Sequence, residues 1–245
     1  MYTPLAQFDI IRIIPGYILG WDFSVSNMVV LTLISLGVFY LIFCNIRMDI
    51  RLIPKLGQYI FERIFMFIYR LVYDQIGGNG LIYFPFLFTI FLFIVISNFI
   101  GLFPYSFAAT SQLVWILYFS VSICLGVFFI GLRNYGLLFF KVFLPKVPFL
   151  LYPLMIIIEI ASYIIRSISL GVRLGANIMA GHILVHILGM VIYRLGFLGS
   201  DLVFLALGLF IGLFILEFGV ACLQAYVFTL LICIYLNDAV NLSVH

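Results

Sequence analysis

From Phe84 to Leu132 not one residue carries a charge, and Phe, Leu, Ile and Val dominate the run. A hydrocarbon core of about 30 Å is crossed by roughly 20 helical residues. This stretch is therefore long enough for two crossings, with Pro104 ending the first. Lipid offers the backbone no hydrogen bonds, so a crossing segment must be a helix or part of a closed barrel. Strictly alternating ten-residue strands are absent, which selects helices. Composition agrees: 66% of the 245 residues are apolar and 9% charged, whereas soluble domains hold about 25% charged residues. The expected fold class is an all-α integral membrane protein, with about five transmembrane helices and one amphipathic surface helix.

The spans follow from where charge and helix breakers fall. Residues 28–46 form the first span. Residues 55–76 alternate differently: Lys55, Arg63 and Arg70 are interleaved with Ile60, Ile64, Phe65, Phe67 and Ile68, the pattern of an amphipathic surface helix. Gly77, Gly78 and Gly80 break it, and 84–132 holds two spans. After Pro153 the chain has no further proline, so residues 152–236 are expected as two unusually long, tilted helices paired in a hairpin. The turn between them falls in Arg194–Asp201. The whole of 1–245 reads as a single polytopic domain.

Orientation follows from the basic residues, which favour the cytoplasmic or matrix side. Five lie between Arg47 and Arg70 and three between Arg133 and Lys146, out of twelve. The span order puts both of these connections on one side, with the N terminus opposite. The four cysteines sit in or beside apolar runs with no CxxC pair. They read as small hydrophobic residues, and no metal or cofactor is expected. The opening MYTPLAQFDI has neither a signal-peptide nor a transit-peptide layout, which suggests insertion where the chain is made.

Ionisable residues within membrane helices cost about 2.5–3.5 kcal/mol each on insertion scales and are functional candidates by default. This chain concentrates them in its last third. Glu159, Arg166 and Arg173 repeat at seven residues on the first long helix, nearly two turns and hence one face. Glu217, Gln224 and Asp238 repeat at seven and fourteen on the second. His182 lies nine residues past Arg173, half a turn out of phase, and should point away from the arginine face, with Glu217 a candidate partner. Gly171 with Gly175, and Gly208 with Gly212, have the spacing that lets helices approach closely. Asn98 is expected only to satisfy local backbone, and His186 to be structural.

A guanidinium does not deprotonate at usable pH, so Arg173 cannot relay protons. It can act as a fixed charge. A carboxylate beside it stays ionised, while one facing lipid takes up a proton. Aqueous paths reaching the arginine from opposite faces would then exchange protons only through a moving carboxylate.

The segment IIIEIASYIIRSISLGVRLGANIMAGHILVHIL resembles the signature of subunit a of the F-type ATP synthase in its mitochondrial form. TPLAQFDI, YFPFLFTIFLFIVISNFIGLFPYSFAATSQLV and LEFGVACLQAYVFTLLICIYLNDAV extend the likeness over nearly the whole chain. The resemblance implies a proton-translocating stator subunit with two offset half-channels and no catalytic site of its own. In it Arg173 faces the carboxylate of a rotating c-ring, with Asn177 one turn on. It assigns His182, Glu217, Asp238, Asn177 and Gln224 to the intermembrane-space path, and Glu159 with Arg166 to the matrix side. The pairing of His182 with Glu217 is the mitochondrial arrangement, since bacterial members typically exchange the two residue types. Implied partners are the c-ring, peripheral-stalk subunit b, small membrane subunits and the lipid bilayer, including cardiolipin, with no nucleic acid. The implied location is the mitochondrial inner membrane, N terminus in the intermembrane space and C terminus in the matrix. One departure is the loop FLPKVPFL, shorter than the family's turn before the long helix.

Two other classes are disfavoured. A two-haem b-type cytochrome needs four axial histidines, and the chain has three. A secondary transporter is expected to show an internal repeat, and none is visible.

Overall fold

The computed structural model describes residues 9–18, 21–22, 24–48, 53–102, 111–136, 139, 152–197 and 202–241. The expected loop at 141–150, most of the TPLAQFDI motif and the turn at 198–201 lie outside these residues. The chain is an all-α membrane protein, and its described residues hold five helices long and apolar enough to cross a bilayer. In chain order the helices are α1 (Asn27–Met48), α2 (Leu56–Ile76), α3 (Phe84–Leu102), α4 (Leu113–Tyr135), α5 (Tyr152–Phe197) and α6 (Leu202–Val240). A 3-10 turn, Gly78–Tyr83, joins α2 to α3. It follows Gly77, whose φ of +80° closes α2 in a conformation that favours glycine.

The N-terminal segment was not anticipated as strand. It forms β1 (Arg12–Ile14), β2 (Tyr17–Ile18), β3 (Trp21–Asp22) and β4 (Val25–Ser26), in two antiparallel pairs that bring Arg12 opposite Ser26 and Tyr17 opposite Asp22. The β-branched run IIRII suits an extended chain. Asn27 locks its end: the Ile11 amide donates to Asn27 Oδ1 at 3.3 Å, and Asn27 Nδ2 donates to the Asp9 carbonyl at 3.1 Å. The same Oδ1 accepts from Met28 N, so one side chain both ends the hairpin and starts α1.

The long helices account for the length of the last third. α5 has 46 residues and α6 has 39, roughly 69 and 58 Å at about 1.5 Å per residue. Each is about twice a hydrocarbon core, so neither can stand upright and straight within it.

The described chain divides into two compact units that cut across the helices. The first takes Met1–Leu41, Phe93–Ile116 and Arg173–Ala225. Its apolar centre is Leu102, Ile178 and Ala221, with Phe99 packed against them. The Phe99 and Phe218 rings stack at 4.8 Å, joining α3 to α6. Asn98, fully buried, donates from Nδ2 to the Ala221 carbonyl at 3.3 Å. This corrects the expectation that Asn98 serves only local backbone: it crosses to another helix, because a buried amide in lipid must find a partner wherever one is near.

The second unit takes Ile42–Leu92, Leu117–Val172 and Tyr226–His245. Here α2 buries Ile68, Val72 and Ile76, and sets Phe61, Phe65 and Tyr69 edge-on against Phe84 and Phe88 of α3. Its opposite side exposes Arg63 and Arg70, the two-sided character expected of an amphipathic helix. Ser120 Oγ donates to the Ser167 carbonyl at 2.7 Å, tying α4 to α5. The end of α6 is tied down by Tyr135 to the Val240 carbonyl, by Asn134 to the Ala239 carbonyl at 3.4 Å, and by Asn241 to the Ile76 carbonyl at 2.8 Å.

Loss of the Asn98 link in Asn98→Ala is expected to cost about 1 kcal/mol, the scale of polar contacts between membrane helices. Thermal inactivation of the solubilised complex checks this, and an unchanged midpoint contradicts it.

Candidate functional site

Arg173 lies near the middle of α5, on a face shared with Val172, Ala176, Asn177 and Ala180, all exposed. Two of these neighbours are alanines, so little side-chain bulk stands around the guanidinium. Among the described residues no carboxylate forms an ion pair with it. The opposite face of the same turns, Leu174, Gly175, Ile178 and His182, is buried. Half a turn of phase thus separates an outward arginine from an inward histidine, as the nine-residue spacing requires.

Gly175 explains how α5 comes close to its neighbour. A Cβ there would lie 2.8 Å from Leu113 and 3.3 Å from Ile116 of α4. Gly208 and Gly212 differ: a Cβ at either meets nothing within 4 Å. Of the two glycine pairs, the first thus includes a close approach within the chain at Gly175, whereas at the second an added Cβ meets open space among the described residues.

Inward of Arg173 the polar groups converge. His182 is 7% exposed and its ring hydrogen-bonds the Gly101 backbone at the end of α3. Glu217, also 7% exposed, projects from α6 onto Gly181, the residue before His182. A Cβ at Gly181 would stand 2.5 Å from Glu217 Oε1, so any larger residue there makes the carboxyl shift from where it rests against the α5 backbone. Asn177 Nδ2 donates to Gln224 Oε1 at 3.5 Å, a long contact between α5 and α6. Glu217 Oε1 and Gln224 Nε2 are buried without a hydrogen-bond partner among the described residues. Buried polar atoms of this kind call for water or a proton. Arg173, Asn177, His182, Glu217 and Gln224 therefore belong to one unit, with the last three buried.

The remaining candidates fall in the other unit. Glu159 is half-buried and Arg166 exposed. Rather than pairing with Glu159, Arg166 places its guanidinium 5.8 Å from the centroid of the Tyr235 ring, a cation–π arrangement. Tyr163 and Tyr235 meet at 5.0 Å, edge to face, and Asp238 is close enough to both to interact electrostatically. Asp238 was expected beside Glu217, on the stripe of α6. The structure sets it near Tyr163 and Tyr235 instead, because it lies twenty-one residues, or about 32 Å, farther along the helix. Among the described residues no three His, Cys, Asp or Glu side chains converge as metal ligands.

Residues 25–237 match the protein-family model described as ATP synthase A chain. The chain belongs to the ATP synthase A chain family. Its relatives include ATP synthase subunit a of Rhodospirillum rubrum, 38% identical over 243 residues, covering 99% of this chain and all of the relative. The Brassica napus subunit a is 43% identical over 257 residues, covering 98% of this chain and 96% of the relative. The Marchantia polymorpha subunit a is 41% identical over 249 residues, covering 98% of both. The sequence pattern picked out the charged members of both clusters. It passed over Gly181 and the tyrosines at 163 and 235. Gly181 was legible in principle, as the small residue directly preceding a buried histidine. Tyr163 and Tyr235 were not, among 15 tyrosines.

Gly181→Ala is expected to displace the Glu217 carboxyl and slow proton-driven ATP synthesis several-fold in assembled complexes. Gly212→Ala, which meets open space, is expected to leave the rate unchanged. Rates in reconstituted vesicles check both, and equal behaviour of the two variants contradicts the contact.

Proposed function

We propose that this chain is the proton-translocating stator subunit of the ATP synthase membrane sector, with residues 1–245 working as one membrane domain beside a rotating c-ring. The observation that carries the reading is Arg173: a permanent cation, exposed in the middle of a membrane helix, with no acidic partner among the described residues. Such a group is costly in lipid unless a counter-charge from outside the chain comes alongside. A ring carboxylate supplies one. Beside Arg173 it is held ionised; turned into lipid it takes a proton and becomes neutral.

Two offset half-channels then convert proton flow into rotation. The entry path from the intermembrane space runs by His182, Glu217, Gln224 and Asn177, a reading supported by the buried, unpaired Glu217 and Gln224 atoms. A proton passes from Glu217 to a ring carboxylate, which leaves the arginine neutral and travels round through lipid. On the matrix side Glu159 and Asp238 receive the proton as the carboxylate re-ionises, with Arg166 a fixed charge on that path. Asp238, which the resemblance assigns to the intermembrane-space path, is placed on this side by our reading because it stands near Tyr163 and Tyr235. Arg173 stands between the paths as a barrier, since a proton crossing directly would have to approach a fixed positive charge.

The setting is the mitochondrial inner membrane, N terminus in the intermembrane space and C terminus in the matrix. This placement is supported by the clustering of basic residues between spans. Subunit b of the peripheral stalk, small membrane subunits and anionic lipid such as cardiolipin complete the surroundings.

Arg173→Ala is expected to abolish coupled ATP synthesis while leaving assembly largely intact. Proton-driven synthesis at the normal rate in vesicles carrying this variant refutes the reading. Glu217→Leu is expected to slow proton entry and spare ATP-driven rotation in the absence of a gradient. Equal loss of both activities removes Glu217 from the entry path.

A further inference from the structure

The ribbon of β1 and β4 carries apolar side chains that the described residues leave largely uncovered. Ile10, Ile11, Ile13 and Ile14 are each between 55% and 62% exposed. The register sorts the ribbon by face. Arg12 lies opposite Ser26 and Ile14 opposite Val25, with Ile13 the extra residue of a bulge between them. Cross-strand partners share a face, and successive residues of a strand point to opposite faces. Arg12 and Ser26 therefore mark one side of the ribbon, and Ile11, Ile14 and Val25 the other. An isolated two-stranded ribbon is marginal in water at best, and a bare apolar face of this kind marks a contact with a membrane or another protein.

What covers that face follows from where the ribbon is tied. Asn27 is the first residue of α1 and of the first membrane span. Three hydrogen bonds join it to the ribbon: Ile11 N to Asn27 Oδ1 at 3.3 Å, Asn27 Nδ2 to the Asp9 carbonyl at 3.1 Å, and Asn27 N to the Ile11 carbonyl at 3.1 Å. Ile11 is thus held level with the first turn of the span, and Ile14 lies roughly 10 Å farther along the strand. That reach is comparable to the layer of headgroups and first acyl carbons at the edge of a bilayer. The apolar surface continues past Asn27, since Val29, Leu33 and Leu36 of α1 are exposed as well. The edge amides of a two-stranded ribbon bar it from the hydrocarbon core but not from this boundary, where water and headgroups supply partners. We propose that the ribbon is an interfacial membrane anchor, with Ile11, Ile14 and Val25 resting on the first acyl carbons beside the start of α1 and the face of Arg12 and Ser26 turned to the lipid phosphates. Arg12 suits that side: its apolar stem lies along the ribbon and its guanidinium matches a phosphate. The anchor is separate from the proton paths and fixes the depth at which α1 enters the membrane.

Nitroxide labels read this in phospholipid vesicles holding the intact synthase, with its reactive cysteines replaced by alanine, Cys44, Cys124, Cys222 and Cys233 among them. Labels are attached singly through Ile11→Cys, Arg12→Cys and Ile14→Cys, all exposed positions, and ATP synthesis at the wild-type rate shows that each complex is assembled. Collisions with oxygen, which concentrates in lipid, are compared with collisions with a water-soluble nickel chelate. Oxygen is expected to dominate at Ile11 and Ile14, and the ratio of oxygen to nickel access to fall several-fold at Arg12. Asn27→Ala, which removes both side-chain ties, is expected to lower the ratio at Ile14 several-fold, and an unchanged ratio overturns Asn27 as the tie. Nickel access exceeding oxygen access at Ile11 or Ile14 puts the ribbon in water and overturns the anchor. Poor access of both reagents there puts a protein neighbour on the face and overturns it equally. The same ratio at Arg12 as at Ile14 overturns the assignment of the two faces.

Discussion

A guanidinium held in a membrane cannot escape its charge by giving up a proton, and everything around Arg173 answers to that fact. The rest of its helix turn must tolerate the charge, which explains the alanines beside it and the exposure of the whole face. No described carboxylate pairs with it. In the proposed function, the counter-charge is an acidic partner approaching that face, and the fixed cation then separates two proton paths instead of merely destabilising a helix.

The opposite face of α5 shows the complementary strategy. His182 lies against the end of α3, Glu217 rests on Gly181, and Asn177 reaches Gln224. These groups are uncharged or can become so, and they can therefore be buried where Arg173 could not. Each leaves some hydrogen-bonding capacity unspent in Glu217 and Gln224. Unspent capacity in a low-dielectric interior is costly as structure, and is useful where water and protons must enter.

Helix packing uses small residues and aromatic rings where soluble proteins would use a hydrophobic core. Gly175 admits Leu113, and Phe99 stacks on Phe218. The hydrophobic effect does not separate a leucine facing lipid from one facing protein, so close contact and a few interhelical hydrogen bonds carry specificity. Asn98, Ser120 and Asn134 each donate to the backbone carbonyl of another helix. Such bonds fix which helices are neighbours at little cost in sequence, because the acceptor is backbone and can be provided by any residue.

Charge-free apolar runs, the absence of proline after Pro153 and the seven-residue spacing of polar residues were enough, read alone, to fix the all-α membrane class and the two long helices, and to single out Arg173 as a candidate. These are properties of single segments, set by transfer into lipid and by the helical period. The half-turn between Arg173 and His182 belongs to the same kind, since one rigid helix determines it. What the sequence could not decide depends on distances between segments. Asn98 bonding to α6, the closeness of Glu217 to Gly181 and the grouping of Asp238 with Tyr163 and Tyr235 are facts about neighbouring helices. The N-terminal hairpins escaped for a related reason: their strands are two or three residues long, too short for a period, and are held by the side chain of Asn27 fifteen residues on from Arg12. Periodicity speaks for one element at a time, and only tertiary packing says which polar groups share a site.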